Sequence, residues 1–273
     1  MKIILLIFSW TLCFLVFSQE LTLVETYVSP TPIDTWSIDG QNNLLVVSEN
    51  NIQKKAINGD LKFNQTFKSL GNIQCISPIN AMKILLFSDV QQSVAIIDNT
   101  LSQQGDIIDL SDIGFSNVIF ICASNRPNLI WVFDQFRSSL NLVDFQKNQI
   151  LQSIQNVETK GNTILEIKEY QDHLYVLFSD GQMNRYDFLL NFSGSYNLEN
   201  CRTFGFWNQQ IVCLDTNAAS LRFVLLEMKT NQRIPDWHTL EMLNKTPITS
   251  FIIQGNLLGL QKGNEISIFS IKY

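Results

Sequence analysis

Six short apolar stretches recur along the chain, and each of them ends in a polar turn. They are residues 44–49 (LLVVSE), 84–89 (ILLFSD), 130–135 (IWVFDQ), 174–180 (LYVLFSD), 211–216 (IVCLDT) and 257–262 (LLGLQK). The stretches are too short for core helices, are rich in β-branched and aromatic residues, and lack the alternation of a sheet with one solvated face. We therefore predict six strands that are buried on both faces.

Each apolar stretch has candidate strands on both sides. An inner strand precedes it at residues 35–39, 73–77, 118–123, 164–169, 202–206 and 248–253, and a hairpin partner follows it at residues 52–57, 93–98, 139–144, 182–188, 221–228 and 265–271. Outer strands are clearest at residues 61–67, 106–110 and 149–154. The stretches are spaced by about 36 to 46 residues, close to the roughly 40–45 residues of a four-stranded propeller blade. This pattern predicts an all-β chain folded as a six-bladed β-propeller of four-stranded antiparallel blades.

The last repeat ends at Tyr273 after its third strand, so its blade lacks an outer strand. The β-rich segment from Leu21 to Val28 precedes the first repeat and is followed by Pro30 and Pro32, which cannot continue a ladder. We predict that this N-terminal strand closes the last blade, because closure would cover two otherwise exposed edges.

The repeat length, the strand order and the split closure resemble the six-bladed β-propellers of exported bacterial proteins, over a single domain of residues 19–273. The Trp-Asp dipeptide of WD repeats and the Gly-Gly pair of kelch repeats are absent from the sequence. The known roles of this superfamily include scaffolding, ligand or peptide binding and metal-dependent hydrolysis. The resemblance therefore implies a shape more than an activity.

The N-terminus has the layout of a secretory signal peptide. Lys2 supplies a positive charge, residues 3–17 are an almost unbroken apolar run, and Ser18 stands before a polar pair. The run is shorter than the roughly 20 residues that span a bilayer. We predict a signal peptide at residues 1–18, and the alternative is an uncleaved N-terminal anchor. After removal of the signal, we expect a monomer that is periplasmic or secreted and does not insert into a membrane. The net charge of −6 disfavours nucleic acid as a partner.

The sequence contains no nucleotide-binding, zinc-protease or serine-hydrolase motif and only two histidines, His173 and His238. This favours a non-catalytic binding or scaffolding module of the periplasm or cell envelope, which needs no cofactor and holds a protein or a glycan. The alternative is a metal-dependent hydrolase or lactonase, in which one divalent cation such as calcium lies in the central channel and lowers the pKa of a bound water. Its candidate ligands are Asp39, Asn72, Glu166 and Glu169.

Four aromatic residues fall on or beside predicted inner strands, namely Trp36, Phe204, Phe206 and Trp207. Rings beside the channel would line a pocket for a sugar, a peptide or another apolar ligand. The alternative is that these rings fill the wedge between neighbouring blades.

Ser and Asp recur directly after the apolar stretches, for example at Ser88, Asp134, Ser179 and Asp215. Such residues cap tight turns through their own backbone. A ring of carboxylates that binds calcium or a cationic partner is the alternative.

Four cysteines remain after signal removal: Cys75, Cys122, Cys201 and Cys213. Cys75 and Cys122 fall on neighbouring inner strands, which fan apart around the axis. Cys201 and Cys213 fall on two neighbouring strands joined by a tight turn, and this turn places Phe204 opposite Cys213. Cys201 is then out of register with Cys213, and a disulfide needs Cα atoms within roughly 7 Å of each other. We expect free thiols, and Cys201 with Cys213 is the one pair for which a bridge stays open.

Overall fold

The structure is a computed structural model that describes residues 20–157, 161–215, 220–225, 238–240 and 247–272. The predicted signal peptide and residues 226–228 of one predicted strand lie outside these ranges. The first twelve strands are β1 (Glu20–Val28), β2 (Thr35–Ile38), β3 (Leu44–Ser48), β4 (Asn51–Lys55), β5 (Leu61–Thr66), β6 (Cys75–Pro78), β7 (Lys83–Ser88), β8 (Ser93–Asp98), β9 (Ile108–Asp109), β10 (Val118–Ala123), β11 (Leu129–Asp134) and β12 (Ser139–Asp144). The others are β13 (Gln149–Ile154), β14 (Ile164–Tyr170), β15 (His173–Phe178), β16 (Gln182–Asp187), β17 (Phe192–Asn197), β18 (Cys201–Trp207), β19 (Gln210–Asp215), β20 (Ser220–Leu225), β21 (His238–Leu240), β22 (Ser250–Gln254), β23 (Leu257–Lys262) and β24 (Glu265–Lys272). No helix among the described residues is long and apolar enough to cross a membrane.

The strands form six four-stranded antiparallel sheets. Five sheets are meanders of consecutive strands, β2–β5, β6–β9, β10–β13, β14–β17 and β18–β21, which we call the first to fifth sheets. The sixth has the order β1-β24-β23-β22. The first strand of each meander contacts the first strand of the next, and β22 contacts both β18 and β2. The predicted propeller of four-stranded antiparallel blades is therefore confirmed.

The sixth sheet is completed by both ends of the described chain. Glu20 of β1 faces Lys272 of β24, and Val28 faces Glu265. The backbone N–H of Ser29 then donates to the carbonyl of Asn264 at 2.8 Å, where the chain turns away from the sheet. The N-terminal strand thus closes the last sheet, as its sequence predicts.

The central strands are buried on both faces because their side chains pack against the sheets on either side. Leu45 and Val47 of the first sheet share one apolar cluster with Ile84 and Leu86 of the second. Each fully buried side chain of this kind contributes about 1.5–3 kcal/mol relative to an exposed one. This two-sided packing explains why the apolar stretches of the sequence show no alternation.

The recurring Ser and Asp residues stabilise turns. The carboxylate of Asp134 accepts the backbone N–H groups of Ser116, Asn117 and Phe136 at 3.0–3.2 Å. The hydroxyl of Ser179 accepts a backbone N–H from the preceding loop in the same way. Asp134 therefore caps its own turn through Phe136, whereas Ser179 binds the loop before β14.

The fifth sheet contains a disulfide between Cys201 and Cys213, whose Cα atoms are 5.6 Å apart. The predicted register is right, since Phe204 faces Cys213. The expectation that Cys201 is a free thiol is wrong, because a β-bulge between Cys201 and Phe204 shifts the register of β18. Cys75 and Cys122 are free thiols, as expected.

Candidate functional site

Trp36 joins the first sheet to the sixth instead of lining a pocket. Its side chain is buried, and its Nε1 donates to the Ser250 hydroxyl at 2.8 Å. The indole lies so close to Gly259 that a Cβ at this glycine would be 2.6 Å from the Trp36 ring. The Trp36 ring thus fills the wedge between two sheets, which is the second of the two interpretations of these aromatic residues.

The three aromatic residues of β18 have similar structural roles. Phe204 is fully buried against the fourth sheet, and Trp207 packs in the cluster between the fifth and sixth sheets. Phe206 is partly exposed and stacks on Tyr170, with ring centroids 4.3 Å apart and planes inclined by 6°. The structure places these residues in two inter-sheet clusters, as the interpretation that such rings fill the wedge between blades expects.

Asp39, a predicted metal ligand, is bound to a lysine. Its Oδ2 lies 2.8 Å from Nζ of Lys54, and both side chains are almost completely buried. Its carboxylate also accepts hydrogen bonds from the backbone N–H groups of Gln41 and Asn43 and from the Asn43 side chain. Burial by itself would raise the pKa of Asp39, but the Lys54 ammonium and these hydrogen bonds hold the pKa below its ordinary value. The Lys54 ammonium thus supplies the positive charge beside Asp39 that a bound metal ion was predicted to supply.

Glu166 is held between two strands by cationic and neutral donors. Its Oε1 is 2.7 Å from Nζ of Lys168, and its Oε2 accepts the Thr203 hydroxyl and the Phe204 N–H at 2.8 and 2.9 Å. The Lys168 ammonium also donates to the Phe204 carbonyl. These contacts tie β14 to β18 at the inner side of the fourth and fifth sheets.

The remaining two predicted ligands have separate surroundings. Glu169 accepts the Trp131 Nε1–H and the Asn125 backbone N–H, which belong to the third sheet and its loop. Asn72 is exposed in the loop before β6. Across the described ranges, the structure brings no three Asp, Glu, His or Cys residues together in a way that could hold a metal ion. The four predicted ligands therefore do not form one site in this structure.

Of the two free thiols, Cys122 is buried and Cys75 is partly buried. Burial, with a smaller contribution from Glu166, raises the pKa of Cys75 to about 12. Burial also raises the pKa of Cys122 well above its ordinary value. Since the thiolate is the nucleophile and the metal ligand, these cysteines are inert at neutral pH.

An exposed apolar cluster lies at the turn between β16 and β17. Phe188, Leu189 and Phe192 expose 44%, 47% and 61% of their surface. The guanidinium of Arg126, from the β10–β11 loop of the neighbouring sheet, lies over the Phe188 ring at 4.4 Å and contacts Asp172 at 3.1 Å. We call Arg126, Phe188, Leu189 and Phe192 the Phe188 patch.

One carboxylate accepts the hydrogen bonds that hold the turn carrying this patch. Asp187 Oδ1 accepts the backbone N–H groups of Leu189 and Asn191, both at 2.9 Å, and Oδ2 accepts the Asn191 side chain at 3.0 Å. Leu190 is buried beneath the turn, whereas Phe188 and Leu189, which directly precede it, are exposed. These hydrogen bonds hold the pKa of Asp187 below its ordinary value.

Sequence reasoning missed this patch, although the sequence contains a signal for it. The equivalent turns of the first and third sheets contain polar residues such as Asn58 and Lys147. The fourth sheet instead has the sequence Phe188-Leu189-Leu190 at this position, where only Leu190 is needed for the core. A run of exposed apolar residues in a tight turn is therefore the sequence signal that predicts a binding surface here.

Comparison with known proteins supports the fold. No family model matches the chain, and no curated protein is significantly similar to it. Among solved structures, the WD40 domain of Pan2 from Neurospora crassa superimposes with a TM-score of 0.63 at 9% identity, over 92% of this chain and 95% of that domain. At this identity the likeness shows a β-propeller fold alone. No matching family supports the narrower resemblance to exported bacterial propellers.

Proposed function

We propose that this chain is an exported, non-catalytic six-bladed propeller that binds another protein through the Phe188 patch. The observation that carries the proposal is the exposure of three large apolar side chains on a turn held by Asp187. A few central residues supply most of the binding energy at protein interfaces, and aromatic and arginine side chains are enriched among them. A preformed turn also loses little conformational entropy on binding. The Phe188 patch combines both properties.

The location of the Phe188 patch also suits a protein partner. It draws Arg126 from the third sheet and the other residues from the fourth, so a partner would contact two neighbouring sheets at once. The positive charge of Arg126 is already partnered by Asp172 at 3.1 Å. A partner that buries this surface would therefore gain mainly from apolar and aromatic contacts.

Export is a second part of this proposal. The apolar run at residues 3–17 supports a signal peptide, and the Cys201–Cys213 bridge suits an oxidising compartment such as a periplasm or the secretory pathway. Mass spectrometry of the mature protein tests this part, and we expect an N-terminus at Gln19. A mature chain that retains residues 1–18 would contradict the cleavage.

The binding test compares variants of two exposed phenylalanines at different sites. A stoichiometric partner is first captured from the native exported fraction by crosslinking, then purified and titrated against wild type, Phe188→Ser and Phe136→Ser. Phe136 is 77% exposed in the β11–β12 turn, outside the Phe188 patch, and is the matched control. We expect Phe188→Ser to weaken binding by roughly tenfold or more, as for a central interface residue, while Phe136→Ser binds like wild type.

Two further measurements make the binding result decisive. Both variants should unfold at the wild-type temperature, which excludes misfolding as the cause of weak binding. Arg126→Ala should also weaken binding, because the guanidinium covers one face of the Phe188 ring. Wild-type affinity in Phe188→Ser and Arg126→Ala together would place the interface elsewhere and contradict the proposal.

A further inference from the structure

Two N-x-Ser/Thr sequons lie among the described residues, and their environments differ. They are Asn64-Gln65-Thr66 in β5 and Asn191-Phe192-Ser193 at the start of β17. A third, Asn244-Lys245-Thr246, lies outside the described ranges. In an exported chain such a sequence is the acceptor for an N-linked glycan, provided that the folded protein has space for the sugar.

The Asn64 sequon lies on an open outer strand. All six residues of β5 are exposed, and β5 is the last strand of the first sheet, so one of its edges faces outward. Among the described residues, no hydrogen bond involves the Asn64 side chain, whereas the Thr66 hydroxyl accepts the Asn51 amide at 3.0 Å. A sugar on Nδ2 of Asn64 would therefore project from the sheet without displacing a protein contact.

The Asn191 sequon is part of a closed turn. The Asn191 backbone N–H and its side-chain Nδ2 both donate to the carboxylate of Asp187, at 2.9 and 3.0 Å. The Ser193 hydroxyl is bound as well, because it donates to the Arg185 carbonyl and accepts from the Arg185 Nε–H. In this sequon the side chains of Asn191 and Ser193 are both hydrogen-bonded, whereas the Asn64 amide makes no hydrogen bond to the residues that the structure describes. The Asn191 sequon is therefore the comparison site for Asn64.

We propose that Asn64 is an N-glycosylation site. The reaction is transfer of an oligosaccharide from a polyprenyl pyrophosphate donor: the amide Nδ2 forms a bond to the anomeric carbon and loses one proton, while the bond from that carbon to the pyrophosphate oxygen breaks and the polyprenyl pyrophosphate leaves with the electron pair. The inference rests on the export part of the proposed function and is independent of the Phe188 patch, which belongs to the third and fourth sheets, whereas Asn64 belongs to the first.

A glycan at this position would also protect an edge of the fold. Leu61 and Phe63 of β5 expose 54% and 38% of their surface beside the open edge of the strand. An exposed apolar edge strand pairs readily with other chains. A bulky hydrophilic group at Asn64 hinders such pairing, which gives the modification a physical role.

The test expresses the full chain, with its own N-terminal segment, in a eukaryotic secretory host. The secreted protein is compared by gel mobility before and after peptide N-glycosidase, and the peptide containing residue 64 is analysed for the Asn-to-Asp conversion that this enzyme leaves at a glycosylated asparagine. Wild type, Asn191→Gln and Thr66→Ser should show both signals. Asn64→Gln and Thr66→Ala should lose the mobility shift assigned to this site, and in Thr66→Ala the residue should remain an unmodified asparagine.

Two outcomes would overturn the proposal and are distinguishable. Secreted, processed chain with Asn64 wholly unmodified would show that the site is not an acceptor. Chain retained inside the cell with residues 1–18 intact would show that the export premise fails. Binding by the Phe188 patch is measured separately, and Asn64→Gln should leave it unchanged.

Discussion

Replacing Lys54 by Met tests the buried ion pair with Asp39. Nζ of Lys54 is 2.8 Å from Asp39 Oδ2 and donates to the Asn99 carbonyl at 2.9 Å, so the ammonium also links the first sheet to a loop of the second. The side chains of Lys54 and Asp39 are 2% and 5% exposed. Lys54→Met keeps most of the side-chain volume but leaves a buried carboxylate without its cation. Such a change costs about 3–5 kcal/mol, a large part of the roughly 5–15 kcal/mol that stabilises a typical domain.

The assay is urea unfolding at neutral pH for wild type, Lys54→Met, Asp39→Asn and the double variant. Each single variant should be destabilised, because each leaves one buried partner alone. The double variant should be more stable than the sum of the single losses predicts, by about 0.5–3 kcal/mol, the usual coupling between residues in contact. A loss below about 1 kcal/mol in Lys54→Met would refute the reasoning that the charges are buried and mutually dependent.

The pH dependence supplies an independent check on the same pair. The pKa of Asp39 is lower in the folded protein than its ordinary value of 3.8. Its contribution to stability is therefore complete above the pKa of the unfolded chain and is lost as the pH falls through the folded pKa. In Lys54→Met, the Asp39 carboxylate loses the ammonium that offset the cost of burying its charge. Protonation of Asp39 removes that cost, so the difference in stability between the variant and wild type should shrink on acidification toward pH 3. A difference that stays constant between neutral and acidic pH would exclude Asp39 as the cause.

Three further changes test other parts of the fold. Cys213→Ser removes the bridge to Cys201, which closes a loop with a sequence separation of 12. The free energy of unfolding should fall by about 3 kcal/mol in denaturant titrations. Adding reductant should destabilise wild type and leave the variant unchanged. Gly259→Ala places a Cβ 2.6 Å from the Trp36 ring and should cost about 1–3 kcal/mol through overpacking, measured as a lower unfolding temperature. Cys75 and Cys122 should resist alkylation at pH 8 in the native protein and react fully in denaturant, because burial keeps both thiols protonated; rapid native labelling of both would contradict this.

The strand pattern could be predicted from sequence because local periodicity reports whether a strand is buried on one face or two. The register that sets Phe204 opposite Cys213 also follows from a short turn. The bulge that brings Cys201 to Cys213 was not predictable, since neither of the two residues between Cys201 and Phe204 is a glycine or a proline.

The candidate site was less predictable, because its contacts join residues far apart in sequence. Asp39 is a plausible metal ligand until its long-range partner Lys54 is known. Trp36 lies on an inner strand as predicted, but its contact with Gly259 and Ser250 of the last sheet decides that it is a core residue. The apolar pattern of the sequence identifies the strand on which a side chain lies. It does not identify the residue of another sheet that this side chain contacts.

The pairing of Glu20 with Lys272 has a consequence for biosynthesis. β1 leaves the ribosome long before β24 and has no partner until β24 has also been made. Contacts between such distant segments are slow to form, and an unpaired strand is prone to association with other chains in the meantime. The sixth sheet therefore closes only after β24 has been made, and β1 is the strand that a chaperone would protect in the interval.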